Sequence, residues 1–86
     1  MLEMYYKYRV DYKDFLLFIK VGSFYEVFDK DSLILNKLFG YKIKRIKDNI
    51  KVGFPLNRLD YIINVKIKTD KNIKVKSFNS RKLYYV

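Results

Sequence analysis

The 86 residues include neither Cys nor His. They suffice for one compact domain, 1–86, and they exclude disulfide staples, thiolate metal sites and a histidine base. A chain this short buries only about 60–65% of the surface it exposes when unfolded, so its core must come from Ile, Leu, Val, Phe and Tyr. Net charge is +10 and lies unevenly: residues 1–40 hold six basic and six acidic side chains, residues 41–86 thirteen and three. Such a half attracts polyanions, of which nucleic acid is the usual one, though a solubilising surface or an acidic protein partner would also account for it. Abundant Asn, Ile, Lys and Tyr without Ala fit an AT-rich coding sequence, a bias that raises Lys without concentrating it in one half. The longest apolar run, Phe15 to Ile19, is far below the roughly 20 residues of a membrane span, and Glu3, Lys7, Arg9 and Asp11 break any secretory signal. A cytoplasmic protein without a membrane contact is expected.

Along the chain, Met1 to about Tyr12 reads as a helix, with Leu2, Tyr5, Tyr6 and Arg9 on one face and Asp11 and Asp14 bracketing its end. Phe15 to Val21 has the length and aromatic content of a buried central strand. Gly22 breaks it, and Ser23 to Phe28 continues in alternation, with Phe24, Glu26 and Phe28 on one face and Tyr25 and Val27 on the other. Asp31 is suited to cap a helix carrying Ile34, Leu35 and Leu38, and Gly40 sits where its left-handed stop belongs. Residues 41–54 read as a hairpin with Lys42 and Lys44 on one face and a turn at Asp48-Asn49. Pro55 opens a helix carrying Leu56, Leu59, Ile62 and Ile63, whose end is blurred by alternation from Val65 to Lys68. A turn at residues 70–72, a half-buried strand at 73–77 and a short strand at 83–86 complete the chain. The order α-β-α-β-β-α-β-β implies an α+β fold, a single mixed sheet with helices packed on it.

Catalytic patterns are sparse. No glycine-rich phosphate loop is present, and a triad lacks its His. Glu26, Asp29 and Asp31 could hold Mg²⁺ for a nuclease, but Asp31 as a cap and Asp29 as a turn residue explain them better. No enzyme and no cofactor are expected.

The box Gly22-Ser23-Phe24-Tyr25-Glu26, directly after an apolar strand, resembles the start of MutS-type mismatch repair proteins. The resemblance extends in order. Upstream lie a Tyr-bearing helix, an Asp before the strand and Leu16-Leu17-Phe18. Downstream, Gly53-Phe54-Pro55 resembles the family's Gly-Ile-Pro, and Arg81-Lys82-Leu83 with Val86 resembles an Arg-Lys-Val-Val strand near that domain's end. The chain is thus similar to the family's N-terminal mismatch-recognition domain, as a stand-alone or excised unit, with Met1 and the terminal strand favouring the former.

That resemblance implies double-stranded DNA with mismatched or unpaired bases as partner. It makes Phe24 the wedge that stacks on the mispaired base and Glu26 its hydrogen-bond partner. Mispaired bases unstack cheaply, and an apolar wedge can kink the duplex. A carboxylate is repelled by phosphate, so affinity must come from cations. Lys42, Lys44, Arg45, Lys47 and Lys51 are the candidate phosphate contacts. The pattern alone would place Phe24 in the core beside Phe28, with Glu26 at a strand edge and the lysines on a solvated, edge-protecting face. The family's ATPase and clamp functions have no counterpart in these residues. An alternative is a protein-protein interaction module, docking on other repair proteins or on itself, suggested by nine Tyr and seven Phe.

Overall fold

The computed structural model describes residues 2–66 and 73–80. Helix α1 (Leu2–Arg9) precedes strand β1 (Phe15–Val21), which pairs with β2 (Phe24–Phe28). Helix α2 (Asp29–Phe39), β3 (Lys44–Ile46) and β4 (Asn49–Pro55) follow. A helical segment then opens as a 3₁₀ turn (Leu56–Arg58), passes through one α turn (Leu59–Tyr61, α3) and widens into π geometry (Ile62–Lys66), before β5 (Lys74–Asn79). The strands form one sheet ordered β3-β4-β2-β1-β5, antiparallel except for the parallel pair of β1 and β5. This is the expected α+β fold with a single mixed sheet.

The alternation in each strand divides the molecule into two cores. On one face Leu16, Phe18, Val27, Val52 and Phe54 pack against Leu35 of α2 and Ile62 of the helical segment. On the other, Leu17, Ile19 and Phe28 pack against Met4 and Tyr5 of α1. Phe28 is thus a core residue, as its place in the pattern suggests. Helix α1 has only eight residues, about 12 Å of length, and so covers only part of the sheet face beneath it.

Three local readings change. The break at Gly22 is a hairpin turn: Val21 pairs with Phe24 across the two residues Gly22-Ser23, and Gly22 takes φ 61. That pattern suits a tight turn with glycine first, because its twist matches that of the strands. Residues 15–28 are therefore two strands, and the described order is α-β-β-α-β-β-α-β. The turn expected at Asp48-Asn49 lies one residue earlier, at Lys47-Asp48, since Ile46 pairs with Asn49. The expected strand from Tyr41 is paired only over Lys44–Ile46.

Asp31 does not cap its helix. Helix α2 begins at Asp29, with Phe28 before it and no side-chain cap, while Gly40 ends it in the left-handed conformation at φ 72. Asp31 turns inward, 2% exposed. It accepts the Leu17 amide at 3.1 Å and the Tyr5 hydroxyl at 3.2 Å, and pairs with Arg9. Arg9 also donates to the carbonyls of Tyr12, Lys13 and Phe15 at 2.9, 3.0 and 2.8 Å, tying the end of α1 to the start of β1. The pull of local capping loses to this tertiary network, because the buried Asp31 carboxylate needs the cation and donors that Arg9, Leu17 and Tyr5 supply. The strand and turn expected at 83–86 and 70–72, and the Arg81-Lys82-Leu83 match, lie outside the described residues.

Candidate functional site

Among the described residues, the sheet face beyond the reach of α1 opens into a groove. Strand register decides what occupies it. Val21 lies across from Phe24, Glu26 is opposite Gly53, and Phe28 is opposite Lys51, so these side chains share one face. Phe28 is buried under α1, while Phe24, four residues earlier, is 50% exposed. Between them a groove of about 450 Å³ is lined by Val21, Phe24, Glu26, Tyr41, Lys42, Lys44, Lys51 and Gly53. Five of the seven site residues named from sequence therefore meet in one concavity: Phe24, Glu26, Lys42, Lys44 and Lys51.

Two others do not line it. Arg45 pairs in register with Ile50 and so belongs to the opposite face of the sheet from Lys44. Lys47 occupies the tip of the β3–β4 turn at φ 54.

Phe24 is held at the groove's edge by its hairpin. Gly22 sets the turn, Pro55 lies opposite Phe24, and the Leu56 amide donates to the Ser23 carbonyl at 3.1 Å. An aromatic ring is thus exposed on a well-anchored backbone. Glu26 accepts from the Lys51 ammonium at 2.8 Å. Among the described residues neither Lys42 nor Lys44 has an acidic partner, so the groove holds three lysines and one carboxylate. Sequence reading missed Val21, Tyr41 and Gly53 as lining residues. Gly53 carried a signal, since a glycine inside a strand often marks an open or close approach. A side chain there would stand directly opposite Glu26.

Glu26, Asp29 and Asp31, the three carboxylates near one another in sequence, are separated by their partners. Asp29 accepts from Tyr6, from Asn49 at 2.9 Å and from the Ile50 amide at 3.1 Å. Desolvation acts upward on its carboxyl, but these donors outweigh it and hold the group below the usual carboxylate range. Burial pushes the Asp31 carboxyl up, against the opposing pull of the Leu17 amide, Arg9 and Tyr5. Among the described residues no cluster of three or more acidic side chains is arranged to hold a metal. Nor is any helix among them long and apolar enough to cross a membrane.

A basic α+β domain whose sheet opens into a lysine-lined groove with an exposed aromatic at its edge has the build of a nucleic-acid-binding module. Comparison with known proteins gives the family. The profile of MutS domain I matches residues 1–82, and the chain belongs to that family. The chain is 32% identical over 75 residues to the DNA mismatch repair protein MutS of Borrelia hermsii, covering 87% of this chain and 9% of that protein. It is 32% identical over 60 residues to the MutS of Thermotoga petrophila, covering 70% and 8%, and shows the same identity and length of match to that of Fervidobacterium nodosum, covering 70% and 7%. The chain thus spans under a tenth of the length of these relatives.

Proposed function

We propose that this domain binds duplex DNA along the groove between β2 and β3 and responds to mispaired or unpaired bases through Phe24 and Glu26. The observation that carries this reading is the exposure of Phe24. A phenylalanine half in water, on a hairpin at the edge of a cationic groove, packs into neither core among the described residues, and inserting into a weakened base step would bury it. Glu26 lies two residues on, on the same face, and supplies a hydrogen-bond acceptor for a base edge. Lys42 and Lys44 supply charge for the phosphates, whose neutralisation provides affinity without reading sequence. Membership of the MutS domain I family and similarity to DNA mismatch repair proteins support the same reading.

The test is fluorescence anisotropy with a matched duplex, the same duplex carrying a G·T pair or an unpaired T, and a single strand, each at two salt concentrations. The lesion duplex is expected to bind more tightly than the matched one, and Phe24→Ala to abolish the difference. Equal preference in the wild type and Phe24→Ala would defeat the wedge.

A second reading, docking on a protein, draws on Leu33, Ile34 and Leu38, which α2 exposes in one stretch. Light scattering separates it from the first: a stable oligomer without salt-sensitive DNA binding would favour the interaction module.

A further inference from the structure

Glu26 does not stand free in its groove. Its Oε2 atom accepts from Lys51 Nζ at 2.8 Å, and the two side chains remain 19% and 29% exposed. The pair is diagonal on the sheet: Glu26 faces Gly53, and Lys51 faces Phe28, two residues along β2. Because Gly53 has no side chain, nothing on β4 stands between the Lys51 stem and the carboxylate. We propose that Lys51 is a specificity-determining residue that acts through Glu26, engaging the carboxylate until a base edge competes for it.

This inference rests on the reading of the groove as a DNA site and goes on to its energetics. A bare carboxylate beside a phosphate backbone is repulsive, and like-charge juxtaposition weakens a complex substantially. Lys51 cancels that charge, so a matched duplex, which offers Glu26 nothing, can still approach. A pair still partly open to water is held weakly, so it opens readily. A mispaired base with an unsatisfied polar edge then draws Glu26 away from Lys51. Lys51 is accordingly a positioning residue, distinct from Lys42 and Lys44, which have no acidic partner among the described residues.

The experiment is a double-mutant cycle on the full chain with Lys51→Met, Glu26→Gln and both together. Met keeps the apolar stem and Gln keeps the shape, and partial exposure of both sites lets the variants fold, as melting curves would verify. Affinity for matched and G·T duplexes is read by anisotropy. Lys51→Met is expected to weaken matched-duplex binding by about tenfold in the wild-type background and by no more than about threefold when Glu26 is already Gln. The ratio of lesion to matched affinity should rise in Lys51→Met, since the uncovered charge penalises the matched duplex more. Equal losses in both backgrounds would mean an independent phosphate contact and overturn the proposal, as would no loss in either. The reading it rests on fails separately. If the wild type shows no lesion preference but the matched-duplex losses are non-additive, the mismatch reading falls and takes with it the part of Lys51 in specificity, while its shielding of Glu26 stands. A wild type that binds no DNA defeats both.

Discussion

The Asp31 carboxylate in the first turn of α2 accepts the backbone amide of Leu17 in β1 at 3.1 Å, joining the helix to a strand that precedes it by an entire hairpin. The same carboxylate holds Arg9, whose guanidinium gathers two carbonyls of the loop between α1 and β1 and the first carbonyl of β1. Removing one partner of a buried pair leaves the other charged and unpaired, at a cost of about 3–5 kcal/mol. A domain of this size has a total stability of roughly 4–13 kcal/mol. Asp31→Ala is therefore expected to lower the urea midpoint severely or prevent folding, while Asp31→Asn, which can still accept the Leu17 amide, should lose less. Equal midpoints for Asp31→Ala and wild type would show the network to be dispensable.

Tyr5 belongs to that network and gives it a pH signature. Burial first, and the neighbouring Asp31 carboxylate second, hold the Tyr5 phenol up to about 12, from an ordinary value of 10.0. Between those values the native state keeps a proton that the unfolded state has lost. The stabilisation is thus complete below pH 10 and is lost as pH rises towards 12. Thermal melts from pH 8 to 11.5 should show a steep alkaline decline in wild type and a shallower one in Tyr5→Phe. Parallel declines would place the alkaline sensitivity in other tyrosines.

The network also shows where sequence reading reaches its limit. Alternation from Phe24 to Phe28 correctly assigned the two faces of β2, because each strand's pattern is local. The role of Asp31 was not legible. An aspartate just ahead of a helical pattern resembles a cap, and its actual partners, Leu17, Arg9 and Tyr5, lie 14 to 26 residues away. The groove was half legible for the same reason. Lys42 and Lys44 share a side by spacing. The meeting of Glu26 with Lys51, however, depends on β4 pairing with β2 across an intervening helix, which no local period records.

Two hairpin turns give opposite predictions from one cause. Gly22 and Lys47 each open a two-residue turn with positive φ, 61 and 54. The left-handed region costs a side chain roughly 1–2 kcal/mol and costs glycine little. Gly22→Ala should therefore lower stability by about 1 kcal/mol, although nothing lies within 4 Å of the added methyl. Lys47→Gly should raise the melting temperature by about 2–4 °C, since glycine's greater unfolded-state entropy offsets part of the gain. A drop in melting temperature for Lys47→Gly would mean that the turn adopts another conformation in solution.

The two sides of the segment from Lys42 to Arg45 predict which cations DNA feels. Lys42 and Lys44 line the groove with Phe24, while Arg45 belongs to the other face. Counterion release makes the logarithm of affinity fall with the logarithm of salt at about 0.9 per neutralised phosphate. Replacing Lys42 and Lys44 by Gln should reduce that slope by up to about 1.8, weaken matched and lesion duplexes alike, and leave the ratio between them unchanged. Arg45→Gln should leave the slope close to wild type. A larger change in slope from Arg45 than from the two lysines together would move the duplex to the opposite face of the sheet, where Phe24 could not reach it.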